Sequence, residues 1–133
     1  MNAVAQVAAG VAGLVHVVVW VFESFLMDRP AVHRGVFKLA TKDLPAIRLW
    51  SFNVGFYNLF LGGGTILGLV LLHTGAETAG RTLVLYTCAF MALAGIVLAV
   101  SDALALGRPR GTGWTGALGQ FLPPAVTLAA ALL

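Results

Sequence analysis

Charge is what this sequence has least of. Lys and Arg number 8 and Asp and Glu 5, so charged residues make up 10% of 133 positions. Ordinary soluble domains carry roughly a quarter. A soluble chain of this size needs more polar surface than that, and the hydrophobic fraction of 59% points to lipid as the main solvent. Cysteine is nearly absent. The single Cys88 excludes an intrachain disulfide framework and any multi-cysteine zinc site, and its apolar neighbours "YTCAFMALAG" predict a buried, inert thiol. No basic stretch precedes the first apolar run "MNAVAQVAAGVAGLVHVVVW", so it is expected to stay in place as a first helix and not to act as a signal peptide. Ser–His–Asp patterns, P-loops and dinucleotide fingerprints are missing too, and the glycine run at Gly62–Gly64 has no lysine behind it.

What is present is long apolar stretches. A membrane span needs roughly 20 mostly apolar residues, and four segments qualify, at about 3–27, 51–72, 82–106 and 115–133. The expected fold class is therefore all-α, a four-transmembrane-helix bundle forming one integral-membrane domain over residues 1–133. Short Gly- and Pro-containing connections, "HTGAETAGR" and "GRPRGTGWTG", separate the later helices. The first connection mixes Lys and Arg with Val, Phe and Leu, so part of it should lie along the membrane surface.

Net charge is +3, which in a soluble chain would suggest nucleic acid; here the basic residues sit in connections and act as topology signals. Arg29, Arg34, Lys38, Lys42 and Arg48 lie in the first connection and Arg108 and Arg110 in the third, against Arg81 alone elsewhere. The cytoplasmic (inner) membrane is the expected location, with the first and third connections cytoplasmic, both termini outside, and Trp50 and Trp114 as interface anchors. The bilayer is then the obligatory partner, and nucleic acid is not expected.

At 1.5 Å per residue, that orientation brings polar residues of all four helices toward the cytoplasmic half. They are Glu23; Asn53, Tyr57 and Asn58; Asp102; and Gln120. On the first helix Gly13, His16, Trp20 and Glu23 follow spacings of three and four and share a face. A charged carboxylate in hydrocarbon costs several kcal/mol, so Glu23 is expected to face inward and find a partner among Asn53, Asn58, Tyr57 and Gln120. Gly55, Gly62, Gly64 and Gly68 should let another helix approach closely, and Pro123 and Pro124 should kink the last helix. His33 and His73 fall in connections and are expected to be solvated.

These residues resemble those of a family of small bacterial four-helix membrane proteins known only as domain of unknown function 1304. The His16/Glu23 pair is similar to its first helix, and Asn53, Gly55, Tyr57, Asn58, Phe60 and Leu61 to its Asn-Gln-Gly-x-Tyr-Asn-x-Phe-Leu motif, with Val54 in place of Gln. Gln120 with Pro124-Ala125 is similar to its last helix, with one additional residue between. The resemblance spans nearly the whole chain; it implies the fold and the location of a site, and it implies no reaction.

The bland reading of the polar cluster is a hydrogen-bond network holding helices in register, each bond contributing on the order of 1 kcal/mol. The functional reading is a pocket open to the cytoplasm that binds a small hydrophobic ligand or transforms it by acid–base chemistry. Glu23, His16 and Tyr57 would be its catalytic groups, and Asn53, Asn58, Trp20, Gln120 and Asp102 would bind ligand. Neither cofactor nor metal is expected. A haem on His16 lacks a second His at matching depth; Glu23, His16 and Asp102 are the only candidate metal set. Two alternatives stand beside it: a proton-coupled small transporter acting as a homo-oligomer, and an accessory subunit docking on a membrane-complex partner.

Overall fold

The computed structural model describes all of residues 1–133, and the chain is helical throughout, without strands. Helix α1 is Ala3–Phe25, α2 Leu44–His73, α3 Glu77–Ala103 and α4 Trp114–Ala130. Each helix packs against its neighbours in the chain, α4 closes back onto α1, and the diagonal helices scarcely meet. The result is an up-down-up-down four-helix ring. Three helices, α1, α2 and α3, are long and apolar enough to cross a membrane. With 17 residues, α4 is the shortest, reaching roughly 25 Å.

The polarity of the bundle is that of a protein dissolved in lipid. Its buried side chains are mostly small or polar, such as Ala5, Ala9, Ala12, Thr65, Thr87 and Thr127, with Val84 and Met91 among the few larger ones, while Val7, Leu14, Phe60, Leu93 and Val97 are exposed. Without a hydrophobic drive between helices, association rests on close packing and interhelical hydrogen bonds. Glycine supplies the packing. A Cβ on Gly62 would stand 2.6 Å from the Gly13 carbonyl oxygen, and one on Gly80 would stand 2.6 Å from that of Gly68. These two pairs bring α1 onto α2 and α2 onto α3 at backbone contact.

Two ends can be told apart. At one, Asn2 caps α1 by accepting from Ala5 N at 2.9 Å and donates to Ala130 O at 2.6 Å. There His73 Nε2 lies 2.8 Å from Gln6 Oε1, and Arg81 donates to Ala131 O at 3.1 Å. Both chain termini and the α2–α3 turn thus form a clasp. The other end carries seven of the eight Lys and Arg residues and is called the basic end below.

The structure departs from the sequence-based expectations in two places. Helix α2 begins at Leu44, ahead of the expected start at 51, because Pro45 suits the first helical turn and the helix runs out past the apolar stretch. His33 is 1% exposed, not solvated. Its Nδ1 lies 3.0 Å from Met27 O and its Nε2 3.1 Å from Thr41 Oγ1. It is the core of the first connection, which winds through a π-helical turn at Ala31–Val36 and a 3₁₀ turn at Thr41–Asp43.

Candidate functional site

Helices α1 and α2 are tied together at the basic end by three side chains. Ser51 Oγ donates to Glu23 O at 2.6 Å, and Ser24 Oγ donates to Phe52 O at 3.3 Å. Ser24 nests directly against Gly55, leaving no room for a Cβ there. Asn58 Nδ2 donates to Glu23 Oε2 at 2.8 Å. This last bond fixes the Glu23 carboxyl on the inner side of α1 and leaves Oε1 for another donor.

Deeper in the bundle, Thr65 Oγ1 lies 2.8 Å from Thr87 Oγ1 and 2.9 Å from Leu61 O. The threonine pair sets the register of α2 against α3. From there toward the Gly68–Gly80 contact the two helices are in touch; toward the basic end they part. A cavity of about 910 Å³ opens in the space between them. Its α2 wall includes Tyr57, Asn58, Phe60, Leu61 and Gly64; its α3 wall includes Leu83, Tyr86, Thr87 and Phe90. Helix α1 contributes His16 and Glu23, and α4 contributes Gly116, Gly119 and Gln120.

The sequence-predicted residues divide clearly. Glu23, His16, Tyr57, Asn58 and Gln120 all line this cavity. Gly95 backs onto Phe121, so Gln120 sits within about one turn of the level of Asn58. Asn53 is exposed and lies outside the cavity wall. Trp20 points to the outer side of α1 and α2, where its ring packs edge-on against Phe25 at 5.5 Å and Phe56 at 5.8 Å. Asp102 lies roughly 10 Å further toward the basic end and accepts from Gly111 N at 2.8 Å and Gly113 N at 2.6 Å, shaping the third connection. No three His, Cys, Asp or Glu side chains come together as a metal site.

Several lining residues escaped the sequence reading. Gly116 and Gly119, three apart on α4, make a wall without side chains, and Gly119 has nothing within 4 Å of its Cβ position. Pro123 and Pro124 carry no N–H, so the carbonyls of Gly119 and Gln120 lose their usual donors four residues on. At the basic end Val36 and Phe37 of the first connection reach the cavity, and Arg108 donates to the Phe37 carbonyl. Tyr86 also went unnoticed, because it lies only one turn inside the expected span 82–106, where a tyrosine commonly sits at the interface.

His16 has an unusual bonding pattern. It is 2% exposed, and its Nδ1 lies 2.9 Å from Ala12 O. A carbonyl only accepts, so Nδ1 carries the proton and Nε2 presents a lone pair. No protein group reaches that Nε2.

Fold and site together define a small all-α membrane protein with a largely apolar cavity between its helices, into which a few polar groups are set. The chain belongs to the protein family of unknown function DUF1304, which matches residues 10–132. Neither a curated protein nor a solved structure matches it.

Proposed function

We propose that this protein sits in the cytoplasmic membrane with both termini outside and takes up a small hydrophobic ligand in the α2–α3 cavity. It binds that ligand or transforms it by acid–base chemistry, with Glu23 as the proton-bearing group. The observation that supports this reading is the Glu23–Asn58 hydrogen bond at the cavity wall, 2.8 Å long. A carboxyl is an expensive means of joining two helices in lipid, and Ser24 and Ser51 already join α1 to α2. Asn58 holds one carboxyl oxygen, and the other is free to meet a ligand. Tyr57 and Gln120 stand at the same level and supply donors and acceptors for orientation. The orientation in the membrane is supported by the seven Lys and Arg residues gathered at one end.

Native mass spectrometry of wild type beside Glu23→Gln tests it. Glutamine keeps an oxygen for Asn58 and so preserves the helix contact. A hydrophobic molecule bound to wild type and lost from the variant is the expected result. No bound molecule in wild type, with the variant equally stable, would overturn the proposal.

A further inference from the structure

Beside the hydroxyls of Tyr57 and Tyr86 and the Gln120 amide, the cavity is lined by several acceptors that no protein donor reaches. Glu23 has one oxygen beyond the one that Asn58 holds. His16 has an unpartnered Nε2 lone pair. The carbonyls of Gly119 and Gln120 face proline nitrogens along their helix. Burying acceptors without donors is costly, so the matching occupant brings a hydrogen-bond donor of its own.

Its charge follows from the surroundings. An anionic head would meet the Glu23 carboxyl, and the one lining cation, Arg108, stands at the basic end, against the Phe37 carbonyl and near Asp102. A cationic head would have to be carried through hydrocarbon to reach the cavity from the bilayer. A neutral hydroxyl escapes both penalties.

The lips of the cavity indicate where the molecule comes from. Tyr57 and Tyr86, the only tyrosines in the chain, stand on opposite lips with Phe60 and Phe90. The tyrosines are 56% and 67% exposed, and at these positions exposure means exposure to hydrocarbon. Val36, Phe37 and Arg108 lie across the basic end, whereas the aromatic lips open sideways toward lipid. From Asn58 to Gly64, and on to the level of Leu83, the space runs roughly 15 Å along the helix axes. That suits a molecule with one polar end and an extended or polycyclic apolar body.

We infer that the occupant is a neutral amphiphile dissolved in the bilayer, whose single hydroxyl donates to Glu23 while its apolar body lies between the α2 and α3 lips. This assignment rests on the ligand-binding reading given above and names its ligand class.

The probes are 1-pyrenebutanol, its methyl ether and a pyrenebutyl-trimethylammonium salt, each partitioned into vesicles of neutral phospholipid containing the full-length protein. Binding is read as pyrene emission sensitised by tryptophan, corrected for each probe's partition. Wild type is expected to bind the alcohol about fivefold more tightly than the ether, the worth of one net hydrogen bond, and to bind the ammonium probe no better than the ether. Glu23→Leu should erase the preference for the alcohol and leave ether binding in place. Equal binding of alcohol and ether by wild type would overturn the hydroxyl assignment while leaving the cavity as a binding site. Preferential binding of the ammonium probe would overturn it in favour of a cation site. Binding of no probe would overturn both this inference and the reading beneath it. The wild-type comparison decides even where Glu23→Leu does not fold.

Discussion

Two glycines of this bundle should respond in opposite ways to the same kind of substitution. Gly119 lies inside α4 with nothing within 4 Å of its Cβ position, facing the cavity. Replacing a helix-interior glycine with a good helix former gains about 1 kcal/mol where the new side chain meets no obstacle. Gly119→Leu should therefore be more stable than wild type by about that amount. Gly62 would gain the same propensity, but its Cβ would stand 2.6 Å from the Gly13 carbonyl oxygen and 3.1 Å from Val17 Cγ2. Forcing atoms into a packed contact costs about 1–3 kcal/mol, so Gly62→Ala should end neutral to about 2 kcal/mol less stable. Denaturant unfolding in one micelle composition, followed by helical circular dichroism, measures both. The side chain introduced by Gly119→Leu would also occupy part of the space proposed for the ligand. The stabilised variant should consequently lose the co-purifying molecule, separating stability from binding. Equal stability of the two variants would refute the packing argument, and full ligand retention by Gly119→Leu would refute the cavity argument.

Other outcomes follow from the same geometry. A double-mutant cycle of Thr65→Val and Thr87→Val should give a coupling of about 0.6 kcal/mol, the average for interhelical hydrogen bonds in membranes; zero coupling would show that the pair does not bond. Asp102→Ala should speed amide hydrogen exchange at Gly111 and Gly113, whose N–H groups it accepts, while leaving the α1–α2 contact unchanged. In a Cys88→Ala background, an impermeant maleimide applied to intact cells should label Thr74→Cys and spare Leu106→Cys. The reverse pattern would invert the proposed orientation.

Much of the fold was legible because hydropathy reports membrane spans directly: α1 falls within two residues and α3 within five of the expected limits. The inward placement of Glu23 and its bond to Asn58 followed from the cost of a lone carboxylate in lipid. What could not be read was the rotation of α2. All of its faces are apolar enough for lipid, so the spacing of Asn53, Tyr57 and Asn58 does not say which face turns inward. The Gly13–Gly62 and Ser24–Gly55 contacts decide it; they bury Asn58 and turn Asn53 out. Trp20 was misplaced for the same reason, one flank away from His16 and Glu23. His33 was missed because nothing in a connection's composition announces that it folds around a buried imidazole.

The tight crossing of α2 and α3 at Gly68 and Gly80 has a mechanical consequence. With the termini clasped beside it, that crossing is a fulcrum, and the parted halves of the two helices are its arms. Tyr57 lies eleven residues from Gly68, a lever of roughly 16 Å. A pivot of about 5° at the glycines, too small to break a backbone contact, would carry the lip by roughly 1.4 Å at that reach. A Cβ added at Gly80 would stand 2.6 Å from the Gly68 carbonyl oxygen, so bulk at the fulcrum should splay the jaws without touching anything held between them.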